Sequence, residues 1–136
     1  MIELTLPWPA KELSPNARVH WTRVAKAKKA YLTACYNLAL EERQFVWRLP
    51  DGPLKLELEF SKPSRRKMDQ DNLIARMKSG IDGVCKALRI DDSRFKTIVA
   101  SFEPEWAQPK GLVRLIITEG NTHEHCNTFG PPGERS

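Results

Sequence analysis

The sequence predicts a single α/β (α+β) domain: one mixed β-sheet with two main helices against it, in the order β-α-β-α-β-β. Three observations carry this. Two segments, IELTLPW and LKLELEF, alternate apolar and polar residues with the period of a half-buried strand. Two longer segments, from about Trp21 to Gln44 and from about Asp71 to Leu88, carry apolar stripes at helical spacing. The chain of 136 residues is one domain's worth and long enough for a single core.

In chain order, Ile2, Leu4 and Leu6 alternate with Glu3 and Thr5 in the first strand. PWPAKELSPNARVHW follows as a loop, broken by Pro7, Pro9 and Pro15. The first helix places Ala27, Tyr31, Ala34 and Leu38 on one stripe, with Lys26, Lys29 and Glu41 off it. Pro50, Asp51, Gly52 and Pro53 form a turn into the second strand, where Leu54, Leu56, Leu58 and Phe60 face the core. The basic turn SKPSRRK leads to the second helix, whose inner stripe is Leu73 or Ile74, then Met77, Ile81, Val84 and Leu88. Gly80 and Gly83 inside that helix cost about 1 kcal/mol each relative to Ala. They imply either close approach to the sheet or another subunit, or a weak helix. Strands over KTIVASFEPEW and GLVRLIITEG complete the sheet. Residues 1–119 form the domain, and 120–136 have little to bury and read as a disordered tail. In that tail, His123, His125 and Cys126 supply only three soft ligands and are not expected to hold a metal.

Composition excludes several classes. No run of eighteen apolar residues exists, so no membrane span is expected. MIELTLPWPAK lacks the basic and apolar regions of a signal peptide. Cys35, Cys85 and Cys126 are odd in number and widely spaced, a usage that fits a reducing cytosol rather than a disulfide scaffold. The net charge is +5 and the pI near 9.3. Cations cluster at Lys26, Lys28 and Lys29 and again at Lys62, Arg65, Arg66 and Lys67, while acids concentrate between Asp69 and Asp92. Basic arms around an acidic centre suit a polyanion gripped at its backbone and attacked at a metal.

The acidic centre is RRKMDQDN. Asp69 and Asp71 stand one residue apart, and a cap, an ion pair with the basic run or a metal would each explain part of this. One cap accounts for one aspartate. A second pair, Asp91 and Asp92, follows in LRIDDSRF, where a turn or cap is again the plain explanation. Asp71, Lys78 and Asp82, at offsets of seven and eleven, fall on one helical face. Lys78 there either reaches a phosphate or pairs with Asp82. An EF-hand is excluded by Leu73 and Ile74 at its fifth and sixth positions, and zinc by the lack of nearby His or Cys. An oxygen-ligand site of Mg2+ or Mn2+ type survives.

These residues resemble the RusA family of Holliday junction resolvases, crossover-junction endodeoxyribonucleases of phages and prophages. The resemblance runs from Ile2 to about Glu119: LPWPAKELSPN is similar to the family's opening loop, and DQDNL, K..IDGV and IDDSRF to its central signature. It implies a RusA-like fold and a Mg2+-dependent enzyme, with Mn2+ as substitute, that resolves four-way junctions by paired nicks. Asp69, Asp71 and Asp92 would be both catalytic and metal-binding, with Asp91 the alternative to Asp92. The family's lysine often lies four residues after the second aspartate, where this chain has Ala75. An apparent three-residue insertion in LIARMK moves the match to Lys78, with Arg76 as the alternative cation. Lys62, Arg65, Arg66, Lys67, Arg76, Lys26 and Lys29 would contact DNA. The resemblance further implies a homodimer, no membrane association, and the cytoplasm of a bacterial cell or phage-infected host. A looser flap or fork nuclease and an inactive DNA-structure binder are the competing readings. Trp21 and Phe95 are aromatics that could open a junction, with core packing the default for each.

Overall fold

The computed structural model describes residues 2–43, 49, 51–63, 69–102 and 111–120. Strand β1 spans Ile2–Pro7, helix α1 Trp21–Arg43 and strand β2 Leu54–Ser61. Helices α2 (Gln70–Arg76) and α3 (Lys78–Leu88) follow, then strands β3 (Phe95–Phe102) and β4 (Leu112–Glu119). Single 3-10 turns lie at Lys11–Leu13 and Asp92–Arg94. The fold is α+β with one mixed sheet, as the alternating segments imply.

The sheet runs β1-β4-β2-β3. β4 is antiparallel to both neighbours, pairing Leu115 with Leu4 of β1 and with Leu58 of β2. β2 and β3 are parallel, with Leu58 beside Ala100. That register puts Ile2, Leu4, Leu6, Leu54, Leu56, Leu58, Phe60, Val113, Leu115 and Ile117 on one buried face. The side chains that cover it from the helices are Tyr31, Cys35, Ala39, Leu73, Met77, Val84 and Ala87. The opposite face is polar: Arg114 bridges Glu59 (2.8 Å) and Glu3 across β4.

The second helix departs from expectation in being two. The Met77 amide bonds to Ile74 O at 3.0 Å, an i→i−3 turn, before Ile81 N returns to Met77 O at 2.8 Å. Neither Gly nor Pro marks the break, because a fully buried Met77 takes the tightened turn (φ −80°, ψ −8°) without strain. The inner stripe becomes Leu73, Met77, Gly80, Val84 and Ala87, with Ile81 and Leu88 partly buried.

The close approach implied by Gly80 and Gly83 is made neither to the sheet nor to another subunit but to α1. A Cβ on Gly80 would stand 2.5 Å from Tyr31 Cε2, and one on Gly83 would overlap the Leu32 carbonyl oxygen. Glycine is therefore what lets the two helix backbones touch. Tyr31 anchors the same junction: its hydroxyl donates to Pro7 O (2.7 Å) and lies 3.3 Å from Met77 Sδ. The third strand begins at Phe95 and is described to Phe102; residues 103–110 and the tail, with His123, His125 and Cys126, lie outside the described residues.

Core packing fails as the default for Trp21, which is 73% exposed at the start of α1 and stacks on His20. Phe95 does pack against the core. No helix among the described residues is long and apolar enough to cross a membrane.

Candidate functional site

The four residues of DQDN divide their tasks. Asp69 is the N-cap of α2, its Oδ1 accepting from the Asp71 amide at 3.0 Å. Gln70 Nε2 donates to Ala100 O on β3. Asp71 is exposed in the first helical turn, where an acid is favoured by the helix dipole. Asn72 Nδ2 donates to Ser14 Oγ at 2.9 Å, and its Oδ1 accepts from Arg76 Nε at 3.1 Å. Ser14 Oγ also accepts from the Asn16 amide at 3.3 Å. The opening loop LSPN is thus tied to the DQDN segment through one amide side chain.

The DD pair sits at the other end of the crossover. Helix α3 ends at Arg89, which adopts the left-handed conformation (φ 58°) and turns the chain toward Asp91. Asp91 Oδ1 accepts from the Ser93 amide at 2.9 Å and caps the turn that Asp92 opens. The Ser93 backbone bond, followed by the Ser93 hydroxyl and Asp92, holds the Asp91 carboxyl below the usual carboxylate range.

Within one chain the structure does not bring the predicted metal carboxylates together. Gln70 is fastened beside Ala100, toward the Phe102 end of the parallel pair, whereas Arg94 reaches Gly52 O (2.9 Å) at the Leu54 end. Asp69 and Asp71 are therefore separated from Asp91 and Asp92 by roughly 20 Å along the strands. Among the described residues no group of three His, Cys, Asp or Glu side chains is placed to hold a metal ion. Asp69 with Asp71 remains a local pair of hard oxygen donors; Asp92 does not join it within this chain.

The cations fall differently. Lys78, Arg76 and Asp82 line one cleft of about 260 Å³ together with Lys28, Ser79 and Leu13. Asp71 lies about 10 Å from Lys78 along the helical axis, so the shared face aligns the two without bringing them into contact. The i, i+4 pair of Lys78 with Asp82 is not formed. Arg76 is partly desolvated, which lowers its pKa from the ordinary guanidinium value. Lys62 lies with its Nζ 5.1 Å above the Phe102 ring, and Lys26 and Lys29 are exposed on α1. Arg65, Arg66 and Lys67 lie outside the described residues.

A second groove, further along α3 and sharing Asp82 with the first, is lined by Asp82, Cys85, Asp91 and Asp92. Burial, reinforced by the charges of Asp92, Asp82 and Asp91, pushes the Cys85 thiol up to about 12, so it is an inert core thiol. Sequence reasoning did not single out Ser14 or Ser79, and it placed Lys28 only within the basic cluster of the first helix. A second signal for Lys28 was the Gly80/Gly83 spacing, since Gly83 meets Leu32 of α1 one turn further on.

No family model matches the chain. It is 48% identical over 96 residues to a protein of Xylella fastidiosa (strain Temecula1 / ATCC 700964) described as uncharacterized, a match covering 70% of this chain. The chain spans 63% of the length of that relative.

Proposed function

We propose that this protein is a Mg2+-dependent endonuclease of RusA type that acts on branched DNA, with the four-way junction as its substrate. The observation that carries the reading is the DQDN segment, where the capping carboxylate of Asp69 and the exposed carboxylate of Asp71 stand one residue apart. They lie one to two turns from Arg76 and Lys78, which pair with no carboxylate among the described residues. Hard oxygen donors suit Mg2+, which takes one or two carboxylates and leaves its remaining positions to water and phosphate oxygens. Asp69 and Asp71 fit that demand. Bound there, the ion would supply charge stabilisation and an activated water for phosphodiester hydrolysis.

The chain's own residues divide the remaining work. Arg76 and Lys78 counter charge on the phosphate, which grows in the transition state. Exposed Lys26 and Lys29, with half-buried Lys62, hold flanking phosphates without reading bases. Trp21, exposed and stacked on His20, offers an aromatic face to an unpaired base at the branch point. Asp92 stands too far from Asp71 in one protomer, so in a homodimer it is the second copy's Asp92 that is available as a third carboxylate. Twofold symmetry suits two matched nicks.

The separation of the carboxylates also favours a second reading, a protein that binds branched DNA without cutting it. Incubation with synthetic junction, fork and flap substrates, with and without Mg2+, separates the two. Mg2+-dependent paired nicks in the junction support the resolvase; cleavage mainly of flaps or forks supports the looser nuclease. Junction binding without cleavage leaves the binder.

A further inference from the structure

Among the described residues, Lys28, Arg76 and Lys78 have no carboxylate within ion-pair distance, yet all three line the cleft between α1, the Leu13 loop and the α2–α3 unit. They outnumber its single acid, Asp82. Arg76 is partly desolvated there, its Nε committed to Asn72 and its other donors without a partner. A guanidinium removed from water without an anion is costly, and so is a shielded hydroxyl without a partner. Ser79, also lining the cleft, carries such a hydroxyl: its Oγ is buried and makes no hydrogen bond among the described residues. Both deficits are met by a tetrahedral oxyanion, which accepts from a guanidinium fork, ammonium groups and a hydroxyl at once.

We propose that this cleft binds a backbone phosphate of the DNA next to the one attacked at Asp69 and Asp71, that Lys28 is the residue by which α1 takes part, and that Arg76 and Lys78 stand between the two phosphates. The inference deepens the nucleic-acid reading above and rests on it. A volume of about 260 Å³ admits one phosphate with part of its sugars and excludes a stacked base pair. The site is therefore a sequence-independent anchor. Its place, one to two helical turns from Asp71, sets the reach between anchored and attacked phosphates at about one to two nucleotides of extended backbone. Asn72 acts as a positioning residue, since it holds Arg76 in the cleft and fastens the Ser14 loop to the same helix.

The test has two arms. In the first, inorganic phosphate is titrated into 15N-labelled full-length protein while the Arg76 Nε–Hε and Ser79 amide signals are followed. Saturable shifts that weaken at least threefold in Lys28→Ala are expected; absence of saturation, or indifference to Lys28→Ala, overturns the site. In the second, affinity for a labelled four-way junction is measured against salt. Lys28→Ala should reduce the magnitude of the log K versus log[salt] slope by about 0.9, the value of one phosphate contact. Lys55→Ala, on the polar face of the sheet, should leave it unchanged. An unchanged slope in Lys28→Ala overturns the assignment to DNA. A reduced slope in a protein that never cleaves junctions leaves the cleft standing and removes the nuclease reading.

Discussion

Asn72 and Ser14, 58 residues apart in sequence, are joined by a 2.9 Å hydrogen bond from the amide of one to the hydroxyl of the other. The bond ties the loop wall of the cleft to the helix that carries Asp71 and Arg76. Ser14→Ala removes the acceptor for both Asn72 Nδ2 and the Asn16 amide. It should lower stability by about 1 kcal/mol, read from urea unfolding, and slow junction cleavage further because Arg76 loses its alignment.

Gly83 is the point of closest helix contact. Gly83→Ala forces a methyl against the Leu32 carbonyl, a backbone atom that cannot swing aside. A loss of about 2–3 kcal/mol is expected, visible as a lower urea midpoint with an unchanged slope. Gly52→Ala meets no atom within 4 Å and is strained only by its φ of +91°, so it should cost less.

Strands β1 and β2 were legible because one face is buried and the other wetter, so Leu54, Leu56, Leu58 and Phe60 could not be mistaken for a helix. The break at Met77 was not, since a single 3-10 turn leaves the Leu73-to-Ala87 stripe at helical spacing. The glycine pair announced a close approach, but only the packing of Tyr31 and Leu32 shows with what. In the site, the order Asp69, Asp71, Lys78, Asp92 was readable. Its geometry was not, because the parallel pairing of β2 and β3 sends the crossover the length of the sheet. Core packing was the default for Trp21 as an aromatic, although at about 100° per residue it falls off the Ala27–Tyr31 stripe, and the structure leaves it exposed.

Asp91 gives the protein an acid-sensitive turn. Its carboxyl is held below the ordinary value by the Ser93 amide, so its contribution to stability is present above about pH 4 and lost as pH falls through the lowered value. Asn also caps such turns. Asp91→Asn should therefore fold normally at neutral pH and show a flatter fall of stability as the pH drops below about 4, measured by thermal unfolding at a series of pH values.

Lys78 and Arg76 are distinguished by kinetics. Lys78→Ala should slow the chemical step by about 100-fold or more in single-turnover cleavage of a preformed junction, with little change in affinity. Lys78→Arg should rescue poorly, because a planar guanidinium does not replace a compact ammonium. If Lys78→Ala cuts normally and Arg76→Ala does not, the catalytic cation is Arg76.

The central claim is that Asp69 and Asp71 form a metal-dependent nuclease site. Asp69→Asn keeps the cap of α2, since Asn is as good a cap as Asp, so loss of activity in this protein cannot be ascribed to loss of the helix. The decisive measurement is single-turnover cleavage of a synthetic four-way junction in Mg2+ by the wild type and by Asp69→Asn, Asp71→Asn and Asp92→Asn, with junction binding followed in parallel. The account requires Mg2+-dependent paired nicks by the wild type, none by the three variants, and binding as tight as the wild type or slightly tighter in all. Wild-type turnover by Asp69→Asn or Asp71→Asn, or cleavage by the wild type that is indifferent to Mg2+, contradicts it.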